Sequence, residues 1–299
     1  MVDTSRETPV LRGGRLPSPA GLLTRHKPVN LPKMGRRAMT AATTNPTPPP
    51  TLTPPASTNP PAPADLPVDE LAPRLDVLSA QQLIQWAVDG FGDGVAMTTS
   101  FGIQSAVMLH MATTVKPDLP IIWVDTGYLH RETYCYAKQL IDRLGLRVLT
   151  YQSAMTPAHM EAVEGKLWET DSVEDLNRYD EVRKVEPLKR AMRELGVRAW
   201  LTGLRSDQTD FRTRLPRVEQ KAGRLKLYPI LRWSAKDVYD YRVKHELPHH
   251  PLFDQGYNTV GDWHSSRPMT DDDGHERDTR YGGLKQECGI HVTGDGDGI

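Results

Sequence analysis

The stretch LPIIWVD, residues 119–125, is apolar from Leu119 to Val124 without alternation and ends on an acid. A strand with one wet face alternates apolar and polar residues, so a continuous run of this length predicts a strand buried on both faces of a parallel sheet. The flanks fit that setting. Upstream, GVAMTTS (94–100) is short and β-rich, and FGIQSAVMLHMAT (101–113) has helical spacing. Downstream, RETYCYAKQLIDRLG (131–145) predicts a helix stopped by Gly145, followed by a strand in LRVLTYQ (146–152). The alternation continues with a helix over 179–196, strands in AWLTG (199–203) and KLYPIL (226–231), and a helix over 234–246 starting at Ser234. At the front, SAQQLIQWAVDGFG (79–92) sets Ser79 three residues before Gln82, a capping-box spacing ahead of an amphipathic helix. Strands separated by helices predict an α/β fold: a mostly parallel sheet with helices on both faces, and ligand-bearing loops at the carboxyl ends of the strands.

Composition supports a water-soluble chain with enough apolar material for a core, at 38 % hydrophobic and 25 % charged residues. The longest apolar runs fall far short of the roughly 20 residues that span a bilayer. A net charge of -1 argues for neither a nucleic-acid nor a membrane partner. Two cysteines, Cys135 and Cys288, make no disulfide framework and no four-thiolate metal site, which points to a reducing, cytoplasmic setting. Of the 25 prolines, 15 lie at or before Pro67, and TNPTPPPTLTPPASTNPPAPADLP (44–67) offers almost nothing to bury. Residues 1–67 are therefore read as a disordered basic and Pro-rich segment, 68–272 as a nucleotide-binding α/β domain and 273–299 as a C-terminal tail. Residues 1–40 carry eight Lys/Arg against two acids, a faintly transit-peptide-like bias, but no secretory apolar core is present; the default expectation is an inert segment.

Two loops have chemical character. In TTSFGIQS (98–105), Ser100, Gly102 and Ser105 sit at a strand-to-helix junction where backbone amides and the helix N-terminus suit an anion, although no Gly-Lys-Ser/Thr of a Walker loop is present. In VDTGY (124–128), Asp125 and Thr126 follow the second strand, where they suit ribose or base contacts or simply a tight turn. Arg205, after a strand end, is placed as an anion clamp, and Arg212 and Arg214 are within reach of the same pocket. His249 and His250 are adjacent and read as a turn and packing element rather than a metal site. Cys135, among Tyr134, Tyr136 and Ala137 on a helix, is expected to be a buried structural thiol.

Six segments, SFGIQSAVMLH (100–110), VDTGYLHRETY (124–134), RKVEPL (183–188), TGLRSDQ (202–208), LPHHPLFDQGYNTVGDWHSSRP (247–268) and GLKQECGIH (283–291), stand in an order and spacing that resembles the phosphoadenylyl-sulfate (PAPS) and adenylyl-sulfate (APS) reductase family. The resemblance implies an adenine nucleotide alpha-hydrolase-like fold whose first loop is a modified pyrophosphate loop. It implies Cys288 as the nucleophile, on a flexible catalytic tail, and Lys184, Arg277, Arg280 and His291 around the phosphosulfate. It also implies reduced thioredoxin or glutaredoxin as electron donor, and a homodimer.

The chemistry of the residues agrees. A thiolate is a strong nucleophile toward electrophilic sulfur and is favoured by neighbouring cations, which Lys285, His291, Arg277 and Arg280 supply in sequence. A mobile tail would carry the thiol from the substrate to a second protein. APS reductases of the family hold a [4Fe-4S] cluster on a Cys-Cys pair and a Cys-x-x-Cys; the matching positions here are Tyr179 and Asp180, then Asp262 and Ser265, so no cluster is expected and PAPS is the expected substrate. The alternatives are a cluster-free APS reductase, an ATP-sulfurylase or ATP-pyrophosphatase-like nucleotidyl-transfer enzyme, and a non-catalytic nucleotide-binding module.

Overall fold

The strands run in chain order as β1 (Val95–Thr99), β2 (Ile121–Val124), β3 (Val148–Tyr151), β4 (Ala199–Leu201), β5 (Val218–Lys221) and β6 (Arg224–Leu227). They form one sheet in the order β3-β2-β1-β4-β6-β5, parallel except for β5, which pairs antiparallel with β6. This is a computed structural model; it describes residues 67–292, all within one compact unit, and the segment 1–66 lies outside the described residues.

The helices are α1 (Val68–Asp76), α2 (Ala80–Phe91), α3 (Ser105–Val115), α4 (Arg131–Leu144), α5 (Pro157–Glu164), α6 (Val173–Asp180), α7 (Glu186–Glu194), α8 (Asp210–Thr213), α9 (Ala235–Lys244) and α10 (Gly289–Val292). Their ends follow the local signals. Ser79 and Gln82 close a reciprocal capping box on α2, Ser234 and Asp237 do the same on α9, and Gly145 ends α4 at φ +61°, a left-handed conformation that glycine adopts without a Cβ clash.

The period of two sorts the strand residues onto two unequal layers. Val95, Met97, Ile121, Trp123, Leu201 and Leu227 face a large core shared with α1, α2, α3 and α4. Ala96, Ile122 and Trp200 face a much smaller cluster, covered by Leu188, Ala191 and Met192 of α7 and by Ile290 of the tail. Helices do lie on both faces, but the second face is thinly covered, and the tail supplies part of its cover. In the row across this thin face Ala96 pairs with Trp200 and Trp200 with Lys226. Lys226, with no exposed surface, stands with its Nζ 4.2 Å from the centroid of the Trp200 ring.

The helix expected over 179–196 is real but not regular. Between α6 and α7, residues Glu181–Val185 form a π turn. Pro187 explains it: its ring has no N–H to donate and would collide with the carbonyl of Arg183 in an α register, so a wider turn precedes it. The wide turn turns two consecutive side chains, Arg183 and Lys184, into the protein, and both are buried. Arg183 donates to the backbone carbonyls of Thr126 and Met155, tying the turn to the loop after β2.

Candidate active site

Strand order reverses direction at β1: the chain steps outward from β1 to β2 and β3, then returns to its other side with β4. At such a switch point the loops diverge and leave a crevice beyond the carboxyl ends of the strands. Here that crevice has a volume of about 250 Å³ and opens between Thr98–Ser105, Thr202–Leu204, the 258–262 loop and the tail.

The floor is the loop after β1. Phe101 has φ +49°, unusual for a bulky residue, and is held there by full burial, edge-on packing against Trp123 at 4.9 Å, and donation of its amide to Thr99 Oγ1 at 3.0 Å. The turn it makes brings Ser100, Gly102 and Ser105 to the cleft wall at the N-terminal end of α3.

Cations line the rest: Lys184, Arg212, Arg277 and Arg280, with Cys288 among them and Asp262 as the acid. Arg280, 5 % exposed, keeps its Nε without a hydrogen-bond partner and only a long 3.4 Å contact from Nη2 to Ser265 Oγ, so its guanidinium retains donors for an anion. Its position requires Gly261, because a Cβ there would lie 2.5 Å from Arg280 Cζ. Arg277 donates from Nε to the Gln286 carbonyl at 2.6 Å; burial, with Arg212 beside it, pulls its pKa down to about 10. Arg212 grips Glu287 through two parallel bonds, Nε to Oε1 at 2.7 Å and Nη2 to Oε2 at 2.8 Å, and Thr209 Oγ1 donates to the same carboxylate at 2.9 Å.

Lys184 is 2.9 Å from Asp262 Oδ2 and 3.0 Å from Asp180 Oδ1, and donates to the Tyr281 hydroxyl at 2.6 Å. Burial alone would lower its pKa, but the two carboxylates outweigh that and raise it well above the usual lysine value. Burial likewise pushes the Asp262 carboxyl up, and Lys184 with His264 overrides it and holds it well below the usual range. Burial first, then Lys221, bring the pKa of Lys226, on the thin sheet face, down to about 7, against the pull of Glu219.

Of the residues expected from sequence, Ser100, Gly102, Ser105, Thr126, Lys184, Arg277, Arg280 and Cys288 meet at this cleft. Asp125 does not line it: its oxygens accept from the Tyr134 hydroxyl at 2.6 Å, Gln152 Nε2 at 2.8 Å and the Gly127 amide at 2.9 Å, so its carboxylate secures the loop after β2. Arg205, 1 % exposed, turns to Asp207 at 3.0 Å and Glu276 at 3.7 Å and is likewise absent from the lining, as is the exposed Arg214. The side chain of His291 lies outside the described residues. Lys285 reaches Asp180 at 2.6 Å rather than the cleft. The expectation of a buried Cys135 is corrected: that thiol is exposed, because Thr133, Tyr136, Ala137 and Leu140 take the inner face of α4. Asn258, Thr259 and Gln208 also line the cleft, and no pattern in the sequence marks them, since their side chains are ordinary loop polar groups until the fold brings them together.

The positions matched to cluster cysteines also converge. Asp180 and Asp262 hold Lys184, the Tyr179 ring centroid is 5.0 Å from its ammonium, and Ser265 faces Arg280. These four side chains offer no thiolate and pack against two buried cations instead, so they do not fit an iron-sulfur cluster.

Comparison with known proteins agrees with this geometry. The model of the phosphoadenosine phosphosulfate reductase domain matches residues 94–268. A phosphoadenosine 5'-phosphosulfate reductase of Synechococcus is 58 % identical over 231 residues, 77 % of this chain and 100 % of that protein, and its counterpart in Synechocystis is 56 % identical over 76 % and 91 %. The crystal structure of phosphoadenylyl-sulfate reductase from Candida auris, a phosphate complex, superposes with a TM-score of 0.58 at 32 % identity, covering 67 % of this chain and 96 % of that one. With the crevice, its ring of cations and the tail thiol in place, these matches establish that the chain belongs to the phosphoadenosine phosphosulfate reductase domain family.

Proposed function

We propose that the protein reduces 3'-phosphoadenylyl sulfate to sulfite and adenosine 3',5'-bisphosphate, with Cys288 as nucleophile and reduced thioredoxin or glutaredoxin as electron donor, in the cytoplasm. The observation that carries the reading is the thiol itself: Cys288 lines a crevice together with the cations Lys184, Arg212, Arg277 and Arg280, with Asp262 as the acid.

The Cys288 thiolate attacks the sulfonate sulfur. A sulfur–sulfur bond forms, the sulfur–oxygen bond to phosphate breaks, and the nucleotide leaves with both electrons of that bond. A thiolate of the reductant then attacks Cys288 Sγ and expels sulfite, giving a mixed disulfide. The reductant's second thiol resolves it, so one dithiol supplies two electrons and Cys288 returns to the thiolate. Arg280, with its unpaired donor, and Arg277 would neutralise the phosphosulfate oxygens, while the amides around Ser100 to Ser105 receive a second anionic group. Lys184 stays charged through Asp180 and Asp262, ready to meet the leaving phosphate.

The absence of thiolate at Tyr179, Asp180, Asp262 and Ser265 favours PAPS over APS. The test is a sulfite-release assay with each nucleotide and reduced thioredoxin, together with mass spectrometry of protein mixed with PAPS alone. A sulfonate adduct on the Cys288 peptide and loss of turnover in Cys288→Ser are the expected results. Full turnover in Cys288→Ser, or an adduct on Cys135, would refute the reading.

A further inference from the structure

We infer that Asp180 is a positioning residue that sets the place of the Cys288 thiol, an inference that rests on the reading of Cys288 as nucleophile. Asp180 is 1 % exposed and is not part of the cleft lining, so it does not meet a ligand there. Its Oδ1 takes Lys184 Nζ at 3.0 Å and the Tyr281 hydroxyl at 2.9 Å; its Oδ2 takes Lys285 Nζ at 2.6 Å and the Gly289 amide at 3.1 Å. Three of these four donors belong to the tail, and the last is the peptide N–H directly after Cys288.

On the other side of the thiol the arrangement is mirrored. Glu287, the residue directly before Cys288, is 6 % exposed and locked to Arg212 and Thr209. The backbone on both sides of Cys288 is thus tied to the body by buried carboxylates, Asp180 reaching from the body to the tail and Glu287 from the tail to the body. Such charge-assisted bonds are short and about twice as strong as neutral ones. Between the two ties, Cys288 lines the cleft. Two lysines, Lys184 and Lys285, offset the charges of Asp180 and Asp262, so the group is neutral as a whole.

Removing the Asp180 carboxylate leaves Lys184 paired with Asp262, so the cation facing the ligand remains, whereas the tail loses three anchors at once. The consequence is a defect in transfer without a matching defect in binding. A reacting atom displaced by about 1 Å loses up to about a hundredfold in rate.

The experiment uses the full chain with Cys135→Ser, which leaves Cys288 as the single thiol, and compares Asp180→Ala and Lys285→Ala. Three quantities are read: the single-turnover rate of sulfonate adduct formation with PAPS, the PAPS dissociation constant, and the rate of Cys288 alkylation by iodoacetamide. We expect Asp180→Ala to slow adduct formation about tenfold to a hundredfold, with affinity within about threefold and faster alkylation because the tail leaves its seat. Lys285→Ala removes one tail anchor from its outer side and should move the same quantities in the same direction by a smaller factor; if Asp180→Ala does not fold, this variant decides. Wild-type transfer and alkylation rates in the folded variants, or a loss of affinity equal to the loss of rate, would overturn the inference. Full turnover in Cys288→Ser would instead overturn the reading beneath it, so the two failures are told apart.

Discussion

Gly261→Ala adds a single methyl group whose effect can be worked out from its surroundings. The new Cβ would lie 2.5 Å from Arg280 Cζ and closer still to both terminal nitrogens, where ordinary contact is about 3.5 to 4 Å. The guanidinium must therefore shift by about 1 Å or more, and the neighbouring Tyr281 ring, with its centroid 5.2 Å from Arg280 Cζ, restricts where it can go. Gly261 itself is not among the residues with positive φ, so the substitution brings no backbone penalty that would blur the result. A charged hydrogen bond of the kind proposed between Arg280 and the phosphosulfate is worth roughly 1.5 to 3 kcal/mol, so kcat/KM for sulfite release should fall about tenfold to a hundredfold. Melting should change little, because Arg280 gives up only its long contact to Ser265 and its place over the Tyr281 ring. The decisive comparison is with Arg280→Ala: in that background Gly261→Ala should add less than about twofold, since the two changes act on one group. An unchanged kcat/KM in Gly261→Ala, or an undiminished effect on top of Arg280→Ala, would refute the reasoning.

Further outcomes follow from the buried charges. Burial brings His250 and His264 down to pKa values of about 4, so the folded state holds both neutral while the unfolded chain protonates them near 6.5; stability is full above pH 6.5 and is lost as pH falls toward 4. Urea titrations at pH 7 and 4.5 should show this, and His264→Phe should flatten the difference by about 2 to 3 kcal/mol. Lys226 works in the opposite range: with a folded pKa of about 7 against 10.5 unfolded, the folded state binds fewer protons between those values, so stability rises with pH across that window. Lys226→Met should remove that rise and gain a few kcal/mol at pH 7; a steeper rise in the variant would contradict the burial argument. Arg212→Lys keeps the charge but loses the two-pronged grip on Glu287, and both melting temperature and transfer rate should drop. Removal of residues 1–66 should leave turnover and melting temperature unchanged, as their composition offers no face to bury.

Much of the fold was readable because local signals and global needs coincide in it. The unbroken apolar run of β2, the caps at Ser79 and Ser234 and the stop at Gly145 each report a single physical constraint, and each appears where expected. β5 carries no sequence signal because VEQK is a polar edge strand with no periodicity of its own, turned back by Ala222 and Gly223, both at positive φ. The thin second layer was also unreadable, since strands buried under one helix or under four share the same composition. At the site, Cys288 and Lys184 stand within the ordered motifs, while Arg212, Arg277 and Arg280 lie outside them. Asp125 and Arg205 were misplaced because position after a strand end fixes where a side chain starts, not which neighbour claims it. The union of Asp180, Lys184 and Asp262 joins residues 78 positions apart between Lys184 and Asp262, a pairing made by the fold alone.

The π turn before Pro187 has a consequence for chain length. A π turn is an α-helix carrying one residue too many, and a regular α-helix advances about 100° per residue. Deleting one residue between Glu181 and Val185 would let the helix resume its ordinary pitch, and everything on one side of the cut would swing by about that angle relative to the other. Lys184 would then leave Asp262, or Leu188 and Met192 would leave the sheet, and no local adjustment could keep both. Insertions and deletions are ordinarily absorbed by loops, and this stretch looks from outside like any helix. It should nonetheless tolerate length changes less well than the turns around it, because the surplus residue is what lets one helix serve a charge site and a hydrophobic layer at once.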